Sequence, residues 1–524
     1  MTAVESRTPE QVRAAAGVGM TLALHASADP DHPALLTPHG DRTFGELNAN
    51  VNRLVRYLRG QGLQAGDALA LVCSNRPEFA EVYYACLRAG LRITPVNWHL
   101  TGEEMGYIVD DCEAKAVVAD VLFAAAVREA VAAAPHVRVK LAVAGPIDGF
   151  TAYDDALAGQ SADDIDDPVL GKGMLYTSGT TGRPKGVDRP PVTGRPDPGA
   201  ITIAVAAAAR QDPATDVHLC TGPLYHAAPL AFSLAGPLGA GVTTVVMDGW
   251  DPEEMLRLVD AHRVSHTHVV PTMFHRLLAL PDDVKARYDV SSLRFVVHGA
   301  APCPVEVKKG IIEWFGPVVF EYYAATEGGG TFVGSEEWLA RPGTVGKPLV
   351  DDLIRILDDE GNLLPAGEVG TVYMRASQNG RFRYFKDEAK TEGSYRGDYF
   401  TLGDHGYLDD EGWLFLTGRI AELIISGGVN IYPAEVDAVL LEHPAVGDAG
   451  TIGVPNVEWG EEVKAVVELR AGHQPSEALA AELMQWCRDR LAHYKCPRSV
   501  DFVAELPRHD NGKLYRRKLR EMYA

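Results

Sequence analysis

Strand-like and helix-like segments alternate through the first third of the chain, and this alternation limits the possible folds most. Apolar runs at 68–72, 116–119 and 139–143 indicate strands, and the longer stretches at 43–60 and 77–90 indicate helices. Strands that are joined by helices favour parallel sheets covered by helices. The sequence therefore predicts an α/β fold for this part of the chain.

The C-terminal part has a different pattern. The chain has 524 residues, which is too long for one hydrophobic core, so we expect two or more domains. Helices are predicted at 433–441 and 476–491, with strands at 446–454, 464–469 and 499–503 between and after them. These segments predict a compact α+β unit of roughly a hundred residues.

A stretch rich in glycine and hydroxyl groups, residues 175–187, follows the end of an apolar run. Glycines let backbone N–H groups turn toward a ligand, the hydroxyls add donors, and Lys185 adds a mobile positive charge. Such groups bind polyphosphates. The stretch is not a Walker A loop, because Lys185 is followed by glycine, and it lacks the spacing of the dinucleotide fingerprint.

This stretch closely resembles the phosphate loop of adenylate-forming enzymes, which include acyl-CoA synthetases, adenylation domains and luciferases. Further motifs similar to that superfamily follow in the same order at 223–229, 295–302, 320–328, 399–404, 419–436 and 506–513. The resemblance implies a large N-terminal adenylation domain of parallel-sheet αβ layers over 1–418. It also implies a hinge at 419–421 and a small, mobile α+β C-terminal domain over 422–524.

The resemblance assigns a nucleotide site. Its residues are Thr177, Ser178, Gly179, Thr180, Thr181, Gly182, Lys185, Gly299, Ala300, Ala301, Pro302, Glu321, Tyr322, Tyr323, Asp404 and Arg419. By this resemblance, 299–302 line one face of adenine, Glu321 accepts from the adenine amino group, and Tyr323 stacks on the ring. Asp404 is implied to bind the ribose hydroxyls with assistance from Arg419.

The resemblance also implies the catalytic groups. Lys513 matches the catalytic lysine of the superfamily, Thr326 is implied to hold the α-phosphate, and Glu327 is implied to bind Mg²⁺. A hard cation prefers oxygen ligands, so the hydroxyl of Thr177 is a second candidate ligand. The expected cofactors and co-substrates are therefore ATP, Mg²⁺ and coenzyme A.

The predicted acyl pocket contains small or neutral residues, namely His226, Ala227, Ala228, Gly299 and Ala324. Because no lysine or arginine is among them, we expect an apolar monocarboxylic acid: a medium- or long-chain fatty acid, a steroid side chain or an aryl acid. By resemblance, Ser426, Gly427 and Gly428 line a tunnel for the pantetheine arm of CoA.

Two residues and one segment depart from the superfamily pattern. Ala324 replaces the usual glycine, Ala421 replaces the usual Asp or Lys of the hinge, and four prolines interrupt 188–199. Alanine leaves torsional freedom at the hinge, so rotation stays open. The role of the proline-rich loop stays open as well.

Composition excludes several classes of function. The net charge of −22 argues against nucleic acid and against an anionic membrane surface. Prolines and glycines interrupt the longest uncharged stretch, 221–247, so we expect a buried helix, a turn and a strand instead of a transmembrane segment. Seven cysteines without regular spacing predict free thiols in a reducing cytoplasm. A homodimer is left open.

Histidines 266, 268 and 275 lack acidic or cysteine partners at ligand spacing, so we predict no metal site there. The expected enzyme is an AMP-forming acid–thiol ligase of fatty-acid or lipid metabolism. It joins a carboxylate to AMP with release of pyrophosphate, and then transfers the acyl group to CoA. A stand-alone enzyme that loads an acyl carrier protein, a light-emitting oxygenase and a nucleotide-binding regulator remain alternatives.

Overall fold

The chain divides into two compact units. The structure, a computed structural model, describes residues 8–177, 184–189, 199–376, 381–419, 422–426, 429–457, 459–508 and 512–523. The first unit comprises Met1–His268, Leu280–Val296 and Ser377–Gly393, and the second comprises Val269–Ala279, Val297–Ala376 and Ser394–Ala524.

Helices and strands alternate up to residue 177, as the sequence predicts. The helices are α1 (Pro9–Ala16), α2 (Thr21–Ala26), α3 (Phe44–Gly60), α4 (Pro77–Ala89), α5 (Gly102–Asp111), α6 (Ala124–Ala132) and α7 (Tyr153–Leu157). The strands are β1 (Pro33–Leu36), β2 (Arg42–Thr43), β3 (Ala68–Val72), β4 (Arg92–Pro95), β5 (Ala114–Asp120), β6 (Val139–Val143), β7 (Thr151–Ala152), β8 (Lys172–Gly173) and β9 (Leu175–Thr177).

The middle of the chain continues the alternation. Its helices are α8 (Gly199–Ala209), α9 (Gly236–Ala240), α10 (Pro252–His262), α11 (Pro271–Leu278), α12 (Asp282–Lys285), α13 (Val305–Phe315) and α14 (Ser335–Ala340), with a π-helix at Pro229–Ala235. Its strands are β10 (Lys185–Asp188), β11 (Val217–Cys220), β12 (Thr243–Val246), β13 (His266–Val269), β14 (Phe295–His298), β15 (Val319–Ala325), β16 (Gly328–Val333), β17 (Lys347–Pro348) and β18 (Ile354–Leu357).

Strands predominate in the last part of the chain. The strands are β19 (Gly370–Arg375), β20 (Arg383–Tyr384), β21 (Tyr395–Arg396), β22 (Tyr399–Leu408), β23 (Leu414–Arg419), β24 (Ile424–Ser426), β25 (Val429–Ile431), β26 (Val446–Asn456), β27 (Gly460–Leu469) and β28 (Ser499–Val503). The helices are α15 (Glu388–Gly393), α16 (Pro433–Leu441), α17 (Glu477–Arg488) and α18 (Arg516–Glu521).

The first unit is built on parallel sheets. One sheet has the order β7-β6-β5-β3-β4-β8, and each of its neighbouring pairs is parallel. A second set, β13-β11-β12-β1, is also parallel, and β2 joins its edge in antiparallel orientation. Helix α3 buries an apolar face that includes Leu47, Val51 and Leu54, and a capping box between Thr43 and Glu46 begins it.

The second unit is rich in antiparallel strands. Strands β15, β16 and β17 form one antiparallel set, and β18-β19-β22-β21 form another to which β23 pairs through β22. The C-terminal residues form the sheet β25-β24-β27-β26, with β28 parallel to β27. Val436, Leu440, Val467 and Leu483 form part of the core between this sheet and helices α16 and α17.

The predicted fold class is confirmed: parallel α/β sheets are followed by a C-terminal domain rich in strands. The predicted hinge stays a prediction, because residues 420 and 421 lie outside the described residues. All seven cysteines are free, as predicted. Within the described part of the chain, no helix combines the length and the apolar character that a membrane crossing requires.

Candidate active site

The first unit holds both ends of the predicted phosphate loop. Strands β9 and β10 form an antiparallel hairpin in which Thr177 lies opposite Lys185. The Thr177 hydroxyl donates to the Lys185 carbonyl at 3.4 Å. The predicted loop residues Ser178, Gly179, Thr180, Thr181 and Gly182 lie outside the described residues. The hairpin therefore holds Thr177 and Lys185, the described residues at either end of the predicted loop, opposite each other.

Lys185 is held by a carboxylate that no sequence motif predicts. Its ammonium lies 2.9 Å from Oδ2 of Asp387, just before α15. The backbone N–H of Lys390 donates to the other oxygen, Oδ1, at 3.0 Å, so Asp387 also caps the helix. The hydrogen bond raises the pKa of Lys185 and lowers the pKa of Asp387. The lysine therefore stays charged.

The predicted acyl-pocket segment of this unit leads into an unusual helix. The ring of His226 lies 4.5 Å from that of Tyr225, which meets Trp98 edge-on at 5.8 Å. Ala227 and Ala228 follow, and the π-helix Pro229–Ala235 begins directly after them. π-helical turns occur frequently at functional sites. The sequence predicts a buried helix here, but not its wider turn.

In the second unit, the predicted phosphate and metal residues lie at the tip of a β-hairpin. Ala325 of β15 pairs with Gly328 of β16, so Thr326 and Glu327 form the two-residue turn between them. Gly329 has a φ of +132°, and a Cβ there would lie 3.0 Å from the Cα of Ala324. The glycine therefore allows the hairpin to close tightly beside Ala324.

The predicted adenine and ribose residues meet in the same unit. The hydroxyl of Tyr323 donates to Oδ2 of Asp404 at 2.6 Å, and Asp404 is 5% exposed. Asp404 lies opposite Arg419 in the pairing of β22 with β23, while the Arg419 side chain is outside the described residues. Two motifs separated by 81 positions are thus brought together.

Glu321 has a buried partner that the sequence did not reveal. Lys308 on α13 is fully buried, and its Nζ lies 2.5 Å from Oε2 of Glu321. Nε2 of His298 lies 3.7 Å from the same oxygen, and the Lys308 ammonium stands 4.6 Å from the Trp338 ring. Burial raises the pKa of Glu321, and Lys308 opposes this shift. Acceptance from adenine by Glu321 stays a prediction.

The turn after β14 lies close to β15. A Cβ on Gly299 would stand 2.6 Å from Cζ of Tyr322, so no side chain fits there. Ala300 has a φ of +70°, which a residue other than glycine seldom adopts. Ala301 and Pro302 complete the turn. This close approach agrees with the small residues of the motif.

The predicted catalytic lysine lies on a separate hairpin of the second unit. Arg508 pairs with Leu514 in an antiparallel bridge, which places Lys513 on its returning arm, while residues 509–511 lie outside the described residues. Ser426 ends β24 and lies opposite Val429 and Gly460. Gly427, Gly428 and Ala421 lie outside the described residues, so the CoA tunnel and hinge stay predictions.

Comparison with protein families decides the assignment. The model of the AMP-binding enzyme family matches residues 22–382, and the model of its C-terminal domain matches residues 435–513. The chain belongs to the AMP-binding enzyme family. The prediction of an adenylate-forming protein of the acyl-CoA synthetase type is confirmed, and so is the prediction of an AMP-forming acid–thiol ligase.

Several members of the AMP-binding enzyme family are similar to this chain along nearly its whole length. A long-chain-fatty-acid–CoA ligase, FadD13 of Mycobacterium tuberculosis, is 30% identical over 519 residues, covering 97% of this chain and 98% of its own. A fatty acid–[acyl-carrier-protein] ligase, ScoC of Streptomyces coeruleorubidus, is 30% identical over 512 residues and covers 96% of both chains.

A solved structure shows the same fold. The o-succinylbenzoate CoA synthetase MenE of Bacillus subtilis, in complex with its acyl-adenylate intermediate, has a TM-score of 0.78 and 29% identity. The match covers 95% of this chain and 97% of that protein. Because ligases with different acids and acceptors share this family, the fold alone does not determine the substrate.

The hairpin tip of this AMP-binding enzyme can accommodate magnesium. Thr326 and Glu327 provide oxygen atoms that can bind a metal ion. Among the described residues, no group of three or more His, Cys, Asp or Glu is placed to hold a metal ion. Mg²⁺ usually binds through one or two carboxylates, waters and substrate phosphates, and needs no cage of protein ligands. The single carboxylate of Glu327 at the tip of a hairpin fits that mode.

Proposed function

We propose that this chain is an ATP-dependent carboxylic acid–CoA ligase that acts on an apolar monocarboxylic acid. The hydrogen bond between Tyr323 and Asp404 carries the proposal, because it joins the residue assigned to adenine with the residue assigned to ribose. The hairpin tip with Thr326 and Glu327 begins three residues after Tyr323. One nucleotide can therefore contact both motifs.

In the first half-reaction, an oxygen of the carboxylate attacks the α-phosphorus of ATP and pyrophosphate leaves. The carboxylate and the triphosphate are both anionic, so Lys513 is proposed to lie between them and reduce their repulsion. Thr326 would donate to the α-phosphate, and Lys185 would bind the departing pyrophosphate. Mg²⁺, held through Glu327, would supply additional positive charge on the phosphates.

In the second half-reaction, the thiol of CoA attacks the carbonyl carbon of the acyl adenylate and AMP leaves. Lys513 has no role in this step, and the small C-terminal domain is proposed to rotate about 419–421 to remove it. Ser426, with Gly427 and Gly428, would then line the approach of the pantetheine arm. No side chain forms a covalent bond with the acyl group.

The proposed acid is apolar because the residues assigned to its pocket carry no positive charge. His226, Ala227, Ala228, Gly299 and Ala324 offer no guanidinium or ammonium for a second carboxylate. Medium- and long-chain fatty acids, steroid side-chain acids and aryl acids all fit this description. The relative named as a long-chain-fatty-acid–CoA ligase supports the first of these classes.

Transfer to an acyl carrier protein is the second candidate function. It uses the same adenylate and the same motifs, and one relative is named as a fatty acid–[acyl-carrier-protein] ligase. The two functions differ only in the thiol that attacks.

The test is a screen of carboxylic acids with purified protein, ATP and magnesium. Release of AMP and formation of the thioester are measured with CoA, with a carrier protein bearing phosphopantetheine, and with neither. We expect acid-dependent AMP release that CoA accelerates and that yields acyl-CoA. Acceleration by the carrier alone would support the second candidate, and an absence of AMP with every acid would refute both.

A further inference from the structure

The hairpin that carries Lys513 is fastened to β26 by a two-point ion pair. Nε of Arg508 donates to Oδ2 of Asp448 at 2.6 Å, and Nη2 donates to Oδ1 at 2.5 Å. The backbone N–H of Ala449 donates to the same Oδ1 at 2.8 Å. Such bidentate, charge-assisted pairs fix geometry as well as adding stability. The orientation of the Arg508 guanidinium is thereby set.

The remaining arm of the guanidinium reaches the residue before Lys513. Nη1 of Arg508 donates to the carbonyl oxygen of Gly512 at 2.6 Å. That carbonyl belongs to the peptide group whose nitrogen is the backbone nitrogen of Lys513. Fixing the plane of this peptide restricts the direction in which the lysine side chain leaves the backbone. At the base of the hairpin, the N–H of Tyr515 donates to the carbonyl of Pro507 at 2.8 Å.

Gly512 is confined from the other side as well. Its φ is +75°, and a Cβ there would collide with the hydroxyl of Thr272 and lie 3.2 Å from Cγ2 of Val270. Thr272 stands in the first turn of α11, which lies outside the C-terminal segment 435–513. The peptide before Lys513 is thus held between Arg508 and α11.

We propose that Arg508 and Asp448 are positioning residues that orient Lys513 for the formation of the acyl adenylate. This inference rests on the proposed role of Lys513 in the first half-reaction. Both residues lie within the proposed small domain, so a rotation of that domain carries them along with Lys513. Substitution of Arg508 or Asp448 should therefore slow the formation of the acyl adenylate and leave the transfer to CoA unchanged.

The test measures the two half-reactions separately. Adenylation is followed by acid-dependent exchange of labelled pyrophosphate into ATP, and thioester formation by the reaction of preformed acyl adenylate with CoA. The variants are Arg508→Gln, Asp448→Asn and Lys513→Ala, and the melting temperature of each is recorded. Because misplacement of a reacting group by about 1 Å can cost about 100-fold, we expect Arg508→Gln to slow exchange by about that factor.

Asp448→Asn keeps an acceptor for Ala449 but loses the charge, so we expect a smaller decrease in exchange, about tenfold. Both variants should use preformed acyl adenylate at the rate of the unaltered protein. An equal decrease in both half-reactions would show that the pair has only a structural role, and would overturn the proposal.

The control is an arginine in an equivalent two-point pair. Arg257 on α10 donates to Glu254 at 2.6 and 2.7 Å. Arg257→Gln is expected to leave both half-reactions unchanged. A further variant exchanges the partners, Arg508→Asp with Asp448→Arg, which restores the ion pair but gives Gly512 no donor. We expect recovery of the melting temperature without recovery of exchange, and recovery of both would overturn the proposed role of the Gly512 contact.

Failure of the inference and failure of the proposed function give different results. If Lys513→Ala slows exchange selectively while Arg508→Gln does not, the positioning role is wrong and the role of Lys513 stands. If Lys513→Ala leaves exchange unchanged, the proposed role of the lysine itself is wrong.

Discussion

The buried carboxylate of Glu321 depends on its neighbours for a charged partner. A carboxylate with so little exposure is costly to bury unless it is paired and hydrogen-bonded. Lys308 provides both, and the aromatic face of Trp338 accommodates the ammonium. Because Tyr322 and Tyr323 follow Glu321 directly in β15, the pair anchors this part of the predicted nucleotide motif.

At Ala324, a larger side chain is expected to shorten the accepted acid. Ala324→Trp adds a bulky ring at a position assigned to the acyl pocket, beside Gly329. We expect the optimum of a series of straight-chain acids to move to fewer carbons, with kcat/KM for the longest acids lowered at least tenfold. Ala324→Gly, the matched control, should preserve the optimum. An unchanged chain-length profile in Ala324→Trp would remove this residue from the pocket.

The site residues show what a sequence can and cannot predict. Tyr323 and Asp404 were each predicted from a motif of their own, and the structure joins them by a hydrogen bond. Lys308 and Asp387 carry no motif, because their roles come from tertiary contacts with Glu321 and Lys185. A charged residue on a helix or before one is usually a solvated surface group, so nothing local distinguishes these two.

Among the elements, regular segments were predicted closely and irregular ones were not. Helix α16 and strands β3 and β28 have the predicted bounds, because apolar periodicity and flanking turns mark their ends. The buried helix predicted within 221–247 begins as a π-helix at Pro229–Ala235, and a short 3₁₀ turn at Val121–Phe123 separates β5 from α6. Periodicity signals a helix but does not distinguish these hydrogen-bond patterns.

The ion pair between Lys185 on β10 and Asp387, just before α15, is expected to weaken the binding of pyrophosphate by Lys185. Asp387→Asn keeps an oxygen that can accept from the Lys390 N–H, but it removes the charge that pairs with Lys185. Exposed ion pairs contribute about 0.2–1 kcal/mol, so a lysine freed from this pair should bind a phosphate up to about fivefold more tightly. Product inhibition of adenylation by pyrophosphate measures this effect.

Lys185→Met serves as the opposite variant and should weaken inhibition by pyrophosphate. If Asp387→Asn also weakens it, Asp387 assists phosphate binding and does not compete with it. The melting temperatures of the two variants should stay close to that of the unaltered chain, because the pair is partly exposed.

At the scale of the whole molecule, buried histidines link stability to pH. Burial lowers the pKa of His268 from 6.5 to about 4, and it also lowers the pKa of His218 and His266. Below pH 6.5 these histidines are protonated in the unfolded chain but stay neutral in the folded chain. The free energy of unfolding therefore decreases as the pH falls. For His268 this loss is about 1 kcal/mol between pH 7.5 and 5.5.

His268→Gln removes this contribution without adding a titrating group. We expect its free energy of unfolding to fall less than that of the unaltered chain over the same pH interval, by about 1 kcal/mol. Denaturant titrations at the two pH values give the difference. His99→Gln is the control, because His99 is more exposed. Parallel pH profiles for the unaltered chain and His268→Gln would contradict the assignment.

In the proposed mechanism, the two half-reactions place opposite demands on the hinge and on the ion pair between Arg508 and Asp448. Adenylation would require Lys513 to be held in place and thioester formation would require it to leave, so the proposed hinge at 419–421 would have to change its backbone torsions. Alanine at 421 permits this change, but proline fixes φ near −65° and restricts the residue before it. We therefore expect Ala421→Pro to form acyl adenylate once and then to release thioester at least tenfold more slowly.

Quench-flow measurement of bound adenylate and of acyl-CoA separates these steps, and Ala421→Gly, which keeps the torsions free, is the matched control. Arg508→Gln should show the reverse defect, with slow adenylation and normal use of preformed adenylate. The two variants thus form a pair in which each spares the step that the other blocks. If Ala421→Pro slowed both steps equally, rotation about this residue would not separate the half-reactions, and the proposed division of labour between the two arrangements would be wrong.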